Sequence, residues 1–294
     1  VTRPPVIIEG MKGLGDNVYQ RAVVRRLDGP VYLATPWPQL YADLPQVRPV
    51  RPLRHGLRTQ LANEAQQPPG TWWDRPPDSP RLTISYGDRV FREGRTMLQG
   101  MEAGLQGEGG PLVCDLPPTP PWPTQGRPLA IVRPVTHRTE WLNTARAPDP
   151  EYIAQLAGRL MDTHHVVAVG DVADRAEWVV GRMPPHHEAL MHGELDVLQL
   201  VALMRAADVV VAGVGWVLPM AVATRARAYI VLGGNGGANH PDRITDPRLD
   251  TSRLGWAFPS RFCLCHNMKH GCDKVVPDLL PRFEAWARQQ GVKI

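Results

Sequence analysis

No run of about 18 uninterrupted apolar residues occurs in the 294-residue chain, which excludes an ordinary membrane-spanning helix. The first residues lack the basic-then-apolar order of a secretory leader, so the expectation is a cytoplasmic protein without a transmembrane segment. No short-period repeat is visible, which argues against a solenoid or a propeller. With 43% hydrophobic residues the composition is globular and not disordered.

What is present in excess is proline, 31 residues and about twice the usual share. The prolines gather in connections such as Pro68-Pro69, Pro76-Pro77 and Pro184-Pro185, where a fixed φ and a missing donor make stiff loops. The densest stretch, Leu116 to Arg127, suits neither a helix nor a central strand and predicts a linker. Apolar β-branched runs precede it at Val6 to Ile8, Val31 to Ala34, Leu82 to Ser85 and Pro111 to Cys114. Others follow at Leu129 to Val132, His165 to Gly170, Asp208 to Ala212 and Ala228 to Leu232. Helical patterns alternate with several of these runs, which predicts parallel sheets covered by helices. The expectation is an α/β protein of two Rossmann-like, doubly wound domains facing a cleft: 1–120, then 121–276, then a closing helix over 277–294.

The most informative segment is Gly10-Met-Lys-Gly-Leu-Gly-Asp16, set directly after Val6-Ile-Ile-Glu. It reads as a strand, a glycine turn and the start of a helix. Glycines let a ligand approach the backbone, and exposed N–H groups at a helix start favour anionic or polar partners. A net charge of +4 points the same way, and Arg48, Arg51, Arg54, His55 and Arg58 lie within eleven positions.

The order of strand, Gly-Leu-Gly-Asp turn, amphipathic helix and a second strand ending in Thr35-Pro36 resembles the start of the family 9 glycosyltransferases, the heptosyltransferase group, which have the GT-B architecture. The resemblance runs through most of the chain in order, carried by the first forty-five residues and by Ala207 to Gly233. It implies transfer of a sugar from a nucleotide-sugar donor to a hydroxyl of a lipopolysaccharide-like glycan, with no cofactor required for catalysis. Asp16 matches the position of the general base, and Lys12, Gly13, Gly15, Asn17 and Arg54 fall on the acceptor side. A cap on the following helix is the other reading of Asp16.

The donor falls to the second domain. Arg133, Thr136, His137 and Arg138 follow its first strand, and guanidinium groups bind phosphate oxygens bidentately. Asp171 closes the next strand, where it meets the donor or caps a helix. Relatives carry Asp-Ser/Thr-Gly and then a helix His at the donor turn; here Gly213-Val-Gly215-Trp216 occupies it and Leu218 stands near the expected His. Backbone N–H groups then bind the diphosphate, or the donor differs, or catalysis is lost. The loop Leu232-Gly-Gly-Asn-Gly-Gly-Ala-Asn-His240 offers Asn239 and His240 to a ligand.

Three of the four cysteines lie in Cys263-Leu-Cys-His-Asn-Met-Lys-His-Gly-Cys272. Cys263, Cys265 and Cys272 with His270 or His266 make a ligand set for a structural zinc. Two other functions stay open: a base-modifying DNA glycosyltransferase of a bacterial virus, given the basic surface, and a non-catalytic nucleotide- or sugar-binding protein, given the altered donor turn.

Overall fold

A computed structural model describes residues 5–54, 56–105, 109–123 and 126–294. His55 of the basic run and Thr124 and Gln125 of the proline-rich stretch lie outside the described residues. The chain divides into two compact units, Val1–Pro118 with Pro241–Leu249, and Thr119–His240 with Asp250–Ile294.

The first unit runs β1 (Val6–Glu9), α1 (Leu14–Val24), β2 (Val31–Ala34), a 3-10 turn (Pro38–Tyr41), β3 (Val47–Val50), α2 (Arg58–Ala65), β4 (Arg81–Thr83), α3 (Asp88–Arg92) and α4 (Met97–Ala103). Its four strands form one parallel sheet in the order β3-β2-β1-β4. Every residue of β2 is buried, as the apolar run predicts for a strand covered on both faces. Pro49 is tolerated in β3 because that strand lies at the sheet edge. The strand expected at Pro111–Cys114 joins no ladder; Leu112 is buried there, and burial pushes the Cys114 thiol up to about 12.

In the second unit the chain continues through β5 (Leu129–Val132), β6 (Thr136–Arg138), α5 (Pro150–Leu160), β7 (His165–Val169), β8 (Glu177–Val179), β9 (Glu188–Leu190), α6 (Val197–Ala206), β10 (Val209–Gly213), α7 (Val217–Thr224), β11 (Ala228–Val231) and α8 (Gly236–Asn239). After α9 (Pro241–Ile244), which belongs to the first unit, it ends with β12 (Leu254–Ala257) and α10 (Leu279–Gln289). Six strands make a parallel sheet in the order β12-β11-β10-β5-β7-β9, and β6 pairs antiparallel with β8 in a separate ribbon. Helix starts follow local rules: Asp149 caps α5 ahead of Pro150, and Asp196 with Gln199 forms a capping box on α6. Ile153, Leu156 and Leu160 of α5 pack with Phe283 and Ala287 of α10 in one core, where Tyr229 meets Phe283 edge-on at 5.1 Å.

Two charged clusters bind the first unit together. Arg21 of α1 is fully buried; its two terminal nitrogens donate to the Asp43 carboxylate at 2.8 and 2.7 Å, and its Nε donates to Asp115 at 3.2 Å. The second cluster ties α4 to the segment after α9. Arg248 grips Glu102 at 2.8 and 2.9 Å and Asp246 at 2.7 Å, while Thr96 donates to Asp246 at 2.7 Å. Arg21→Met removes the buried charge and leaves the Leu40 carbonyl without its donor, while Asp43 and Asp115 keep access to water, so the variant is expected to be destabilised by about 1–3 kcal/mol. Urea denaturation followed by circular dichroism measures it.

Candidate functional site

In an open parallel sheet a ligand crevice forms outside the carboxyl ends of the strands, where the winding direction reverses. In the first unit the chain winds from β1 through β2 to β3 on one side, and β4 lies on the other side of β1. The reversal is therefore between β1 and β4. The glycine turn leaves the end of β1, and Tyr86 lies in the loop leaving β4.

The turn is braced from below. Asn17 is fully buried, its amide donating to the Met11 and Gly13 carbonyls at 2.7 and 2.9 Å and its oxygen accepting from Thr35 at 2.7 Å. Gln20 accepts from Met11 N at 2.6 Å and donates to the Tyr41 hydroxyl at 2.8 Å. The indole of buried Trp37 donates to the Lys12 carbonyl at 2.8 Å. Asn17, expected on the acceptor side, is thus spent inside the fold. Lys12, Gly13, Gly15 and Asp16 are half-buried in the turn itself, while Arg54 is exposed in the coil after β3.

Asp16 is not the helix cap. The N-cap of α1 is Gly13, which has no side chain to offer, and Asp16 sits in the first turn, where the helix dipole favours a carboxylate. The Tyr86 hydroxyl donates to Asp16 Oδ1 at 2.6 Å. A Cβ on Gly13 would overlap Asp16 Oδ2 and stand 3.2 Å from the carboxyl carbon. The carboxylate lies over the Gly13 α-carbon, in space that only glycine leaves open.

In the second unit the reversal falls between β5 and β10. Arg133 directly follows β5, Gly213 ends β10, and Gly215 and Trp216 lie in the turn from β10 into α7. Arg133 Cζ lies 6.0 Å from the centroid of the Trp216 ring. Its Nη2 donates to Thr136 Oγ1 at 3.1 Å; that hydroxyl donates to Glu177 Oε1 at 2.7 Å, and Arg138 donates to Glu177 Oε2 at 2.5 Å. Three of the expected donor residues thus converge on Glu177, a buried acid that the sequence reading missed. Its only signal was its place in a short alternating stretch, which gives no sign of its partners. Burial presses on the Arg133 charge, Glu177 supports it, and Arg133 Nε is buried with no hydrogen-bond partner among the described residues.

The remaining expected donor residues are placed differently. His137 meets Trp178 edge-on at 6.2 Å, and burial, with the Lys274 charge, holds its pKa below the usual imidazole value. Asp171 forms an isolated bridge with His192, and no helix follows for it to cap. Leu218 is buried in α7. Asn239 turns inward, its amide donating to the Asn235 carbonyl at 3.0 Å, and His240 lies 6.1 and 5.8 Å from the rings of Phe258 and Phe262.

The glycine loop after β11 is largely filled by the cysteine segment. Gly236 N and Gly237 N donate to the carbonyls of Cys263 and Cys265 at 2.7 and 3.1 Å. A Cβ on Gly234 would overlap Cys272, and one on Gly237 would overlap the His266 ring. Cys263, Cys265, Cys272 and His270 bring their ligand atoms within 4.8 Å of one another. Cys265 Sγ is 3.6 Å from Cys272 Sγ, and His270 Nδ1 is 3.5 and 3.4 Å from the sulfurs of Cys263 and Cys272. A tetrahedral ion with bonds of about 2.3 Å to sulfur and 2.0 Å to nitrogen separates its donors by roughly 3.5–3.8 Å, so the set fits one metal ion. Of the two histidines left open by the sequence, His270 is the one in the group.

The chain matches no family model and no curated protein. Its likeness is to solved structures. The iron-containing dodecameric glycosyltransferase TibC from enterotoxigenic E. coli superposes with a TM-score of 0.59 at 15% identity over 93% of this chain and 64% of its own. The ADP-heptose lipopolysaccharide heptosyltransferase II of E. coli gives 0.54 at 13% identity, over 98% of this chain and 100% of its own. A family 9 glycosyl transferase from Veillonella parvula gives 0.58 at 13%, over 98% of both. The chain therefore has the GT-B fold of heptosyltransferase-like glycosyltransferases. Among the described residues no helix is long and apolar enough to cross a membrane.

Proposed function

We propose that the protein is a glycosyltransferase that moves a sugar from a nucleotide-sugar donor to a hydroxyl acceptor. The observation that carries this reading is the placement of opposite chemistries at the two reversal points: a carboxylate between β1 and β4, and a half-buried guanidinium between β5 and β10. Asp16 accepts the proton of the acceptor hydroxyl, whose oxygen bonds to the anomeric carbon as the bond from that carbon to the diphosphate breaks. Arg133, with its unpaired Nε–H, and the backbone N–H groups from Gly213 to Val217 receive the negative charge of the leaving diphosphate. Thr136, Glu177 and Arg138 keep Arg133 in place, and Trp216 offers a ring face. This assigns the acceptor to the first unit, with Lys12, Gly13 and Gly15 at the turn, and the donor to the second.

The acceptor we favour is an anionic glycan. Arg48 lies 4.6 Å over the Trp73 ring and Arg51 5.3 Å over Trp72, so the first unit displays guanidinium–aromatic pairs suited to sugar phosphates. DNA would use the same pairs, and duplex binding that weakens steeply with salt would move the assignment to nucleic acid. The Cys3His group takes a structural ion, zinc by its donor set; an iron-containing neighbour makes iron the alternative, and elemental analysis of untagged protein distinguishes them. Thiolate ligands need a reducing compartment, which is the ground for placing the enzyme in the cytoplasm.

Nucleotide sugars, including ADP-heptose, incubated with the protein and lipopolysaccharide core acceptors should release nucleoside diphosphate. Asp16→Asn is expected to lower that rate at least about 100-fold. Tight donor binding without turnover in the unmutated protein would instead indicate a binding protein.

A further inference from the structure

We propose that Tyr86 is the positioning residue of the Asp16 carboxylate, holding it as an ionised, single-rotamer base at the mouth of the first unit. The proposal rests on the reading of Asp16 as the base. Asp16 opens the helix that follows β1 and Tyr86 lies in the loop that leaves β4, the two neighbouring strands between which the winding reverses, so the pair is held from two separate elements. Their contact is short, 2.6 Å from hydroxyl to Oδ1. A phenol donating to a carboxylate favours the charged form and fixes one of its oxygens. The other oxygen lies over Gly13, where the missing Cβ leaves space for it. Tyr86 is itself fixed, its ring 5.7 Å from Phe91, and a Cβ on Gly100 of α4 would stand 3.0 Å from Tyr86 Cβ.

Several ionisable groups on α1 and beside it are engaged elsewhere. Tyr19 donates to the Ile244 carbonyl, Arg21 and Arg25 pair with Asp115, and Arg26 pairs with Glu102 of α4. Tyr41, of the 3-10 turn, bonds Asn17 and Gln20. Lys12, in the same turn as Asp16, is the cation nearest to it in sequence. The Tyr86 hydroxyl, 2.6 Å from Oδ1, is the donor whose removal the proposal tests.

Tyr86→Phe removes the donor and keeps the ring. With protein labelled at aspartate carboxyl carbons, and Asp16→Asn used to assign the signal, the Asp16 titration midpoint is expected to lie about one pH unit higher in Tyr86→Phe than in the unmutated protein. A base works above its pKa, so the acidic limb of the transfer rate should move to higher pH by the same amount, and the plateau should fall about tenfold as the carboxylate visits other rotamers. In the Asp16→Asn background, Tyr86→Phe should lower the residual rate no further. An unchanged Asp16 midpoint in Tyr86→Phe overturns the proposal. Should that variant not fold, the Tyr86 ring carbon bearing the hydroxyl, followed in the unmutated protein, must report the Asp16 midpoint, and a flat signal overturns the proposal as well. Full transfer by Asp16→Asn would instead remove the base reading, with the titration comparison still deciding the contact.

Discussion

Replacing Gly13 by alanine is expected to cut transfer at least about 100-fold while leaving thermal stability nearly unchanged. The backbone at Gly13 has φ −64° and ψ 146°, a conformation any residue adopts, so the substitution adds no backbone strain. Alanine would even gain about 0.4–1 kcal/mol through the unfolded chain. The cost is local. The new methyl group occupies the place of the Asp16 carboxylate, which must leave Tyr86 or change rotamer. A misplacement of about 1 Å is enough for a hundredfold loss when a base must meet one proton. Gly56→Ala is the control, because a Cβ there meets nothing within 4 Å. Steady-state rates and melting curves of the two variants check the prediction; an active Gly13→Ala would mean that the carboxylate has no fixed position to lose.

The second large effect is expected from the Cys3His group proposed as a metal site. Stripping the protein with a strong chelator, or making Cys272→Ser, should lower the melting temperature by on the order of 7 °C, equivalent to about 4 kcal/mol for a chain of this size. Cys272 is the buried ligand, and desolvation pushes its thiol up to about 11, so without an ion it sits protonated among close neighbours. The cysteine segment is what the glycines at 234, 236 and 237 pack against, and Lys274 behind it donates to the carbonyls of Thr144 and Ala145 at 2.9 and 3.2 Å. Loosening the segment therefore frees both the loop after β11 and the stretch before α5. Cys114→Ser, outside the centre, should keep the metal. Mass spectrometry for bound metal with calorimetry checks this, and a full melting temperature in metal-free protein would contradict it.

The first turn was legible because its demands are local. A glycine between a strand and a helix, followed by a carboxylate in the first turn, is written in consecutive residues. Arg133 and the Gly213 to Trp216 turn were legible for the same reason, each marking the end of an apolar run. Their partners were not. Tyr86 lies 70 positions from Asp16, and Glu177 lies 44 positions from Arg133, so only the strand order brings them together. Short strands escaped as well: β3 hides in a basic, proline-containing stretch, and β6, β8 and β9 have three residues each, too few for a period to show. The glycine loop after β11 was read as a ligand approach when most of its glycines answer to cysteines and a histidine some thirty residues on. Glycine tells that something comes close; it does not tell what.

Because the segment from Pro241 to Leu249 belongs with residues from the beginning of the chain, the amino-terminal unit cannot finish folding on the ribosome as it emerges. Glu102 and Thr96 wait for Arg248 and Asp246, and the Tyr19 hydroxyl waits for the Ile244 carbonyl, until synthesis has passed Arg248. Of the two arginines that meet Glu102 in the finished protein, only Arg26 has been made during that interval, and the turn that holds Asp16 belongs to an incomplete unit. Synthesis thus makes the segment from Pro241 to Leu249 a checkpoint for the unit that precedes it: a nascent or truncated polypeptide ending before Arg248 carries the glycine turn and Asp16 without the latch that completes their unit.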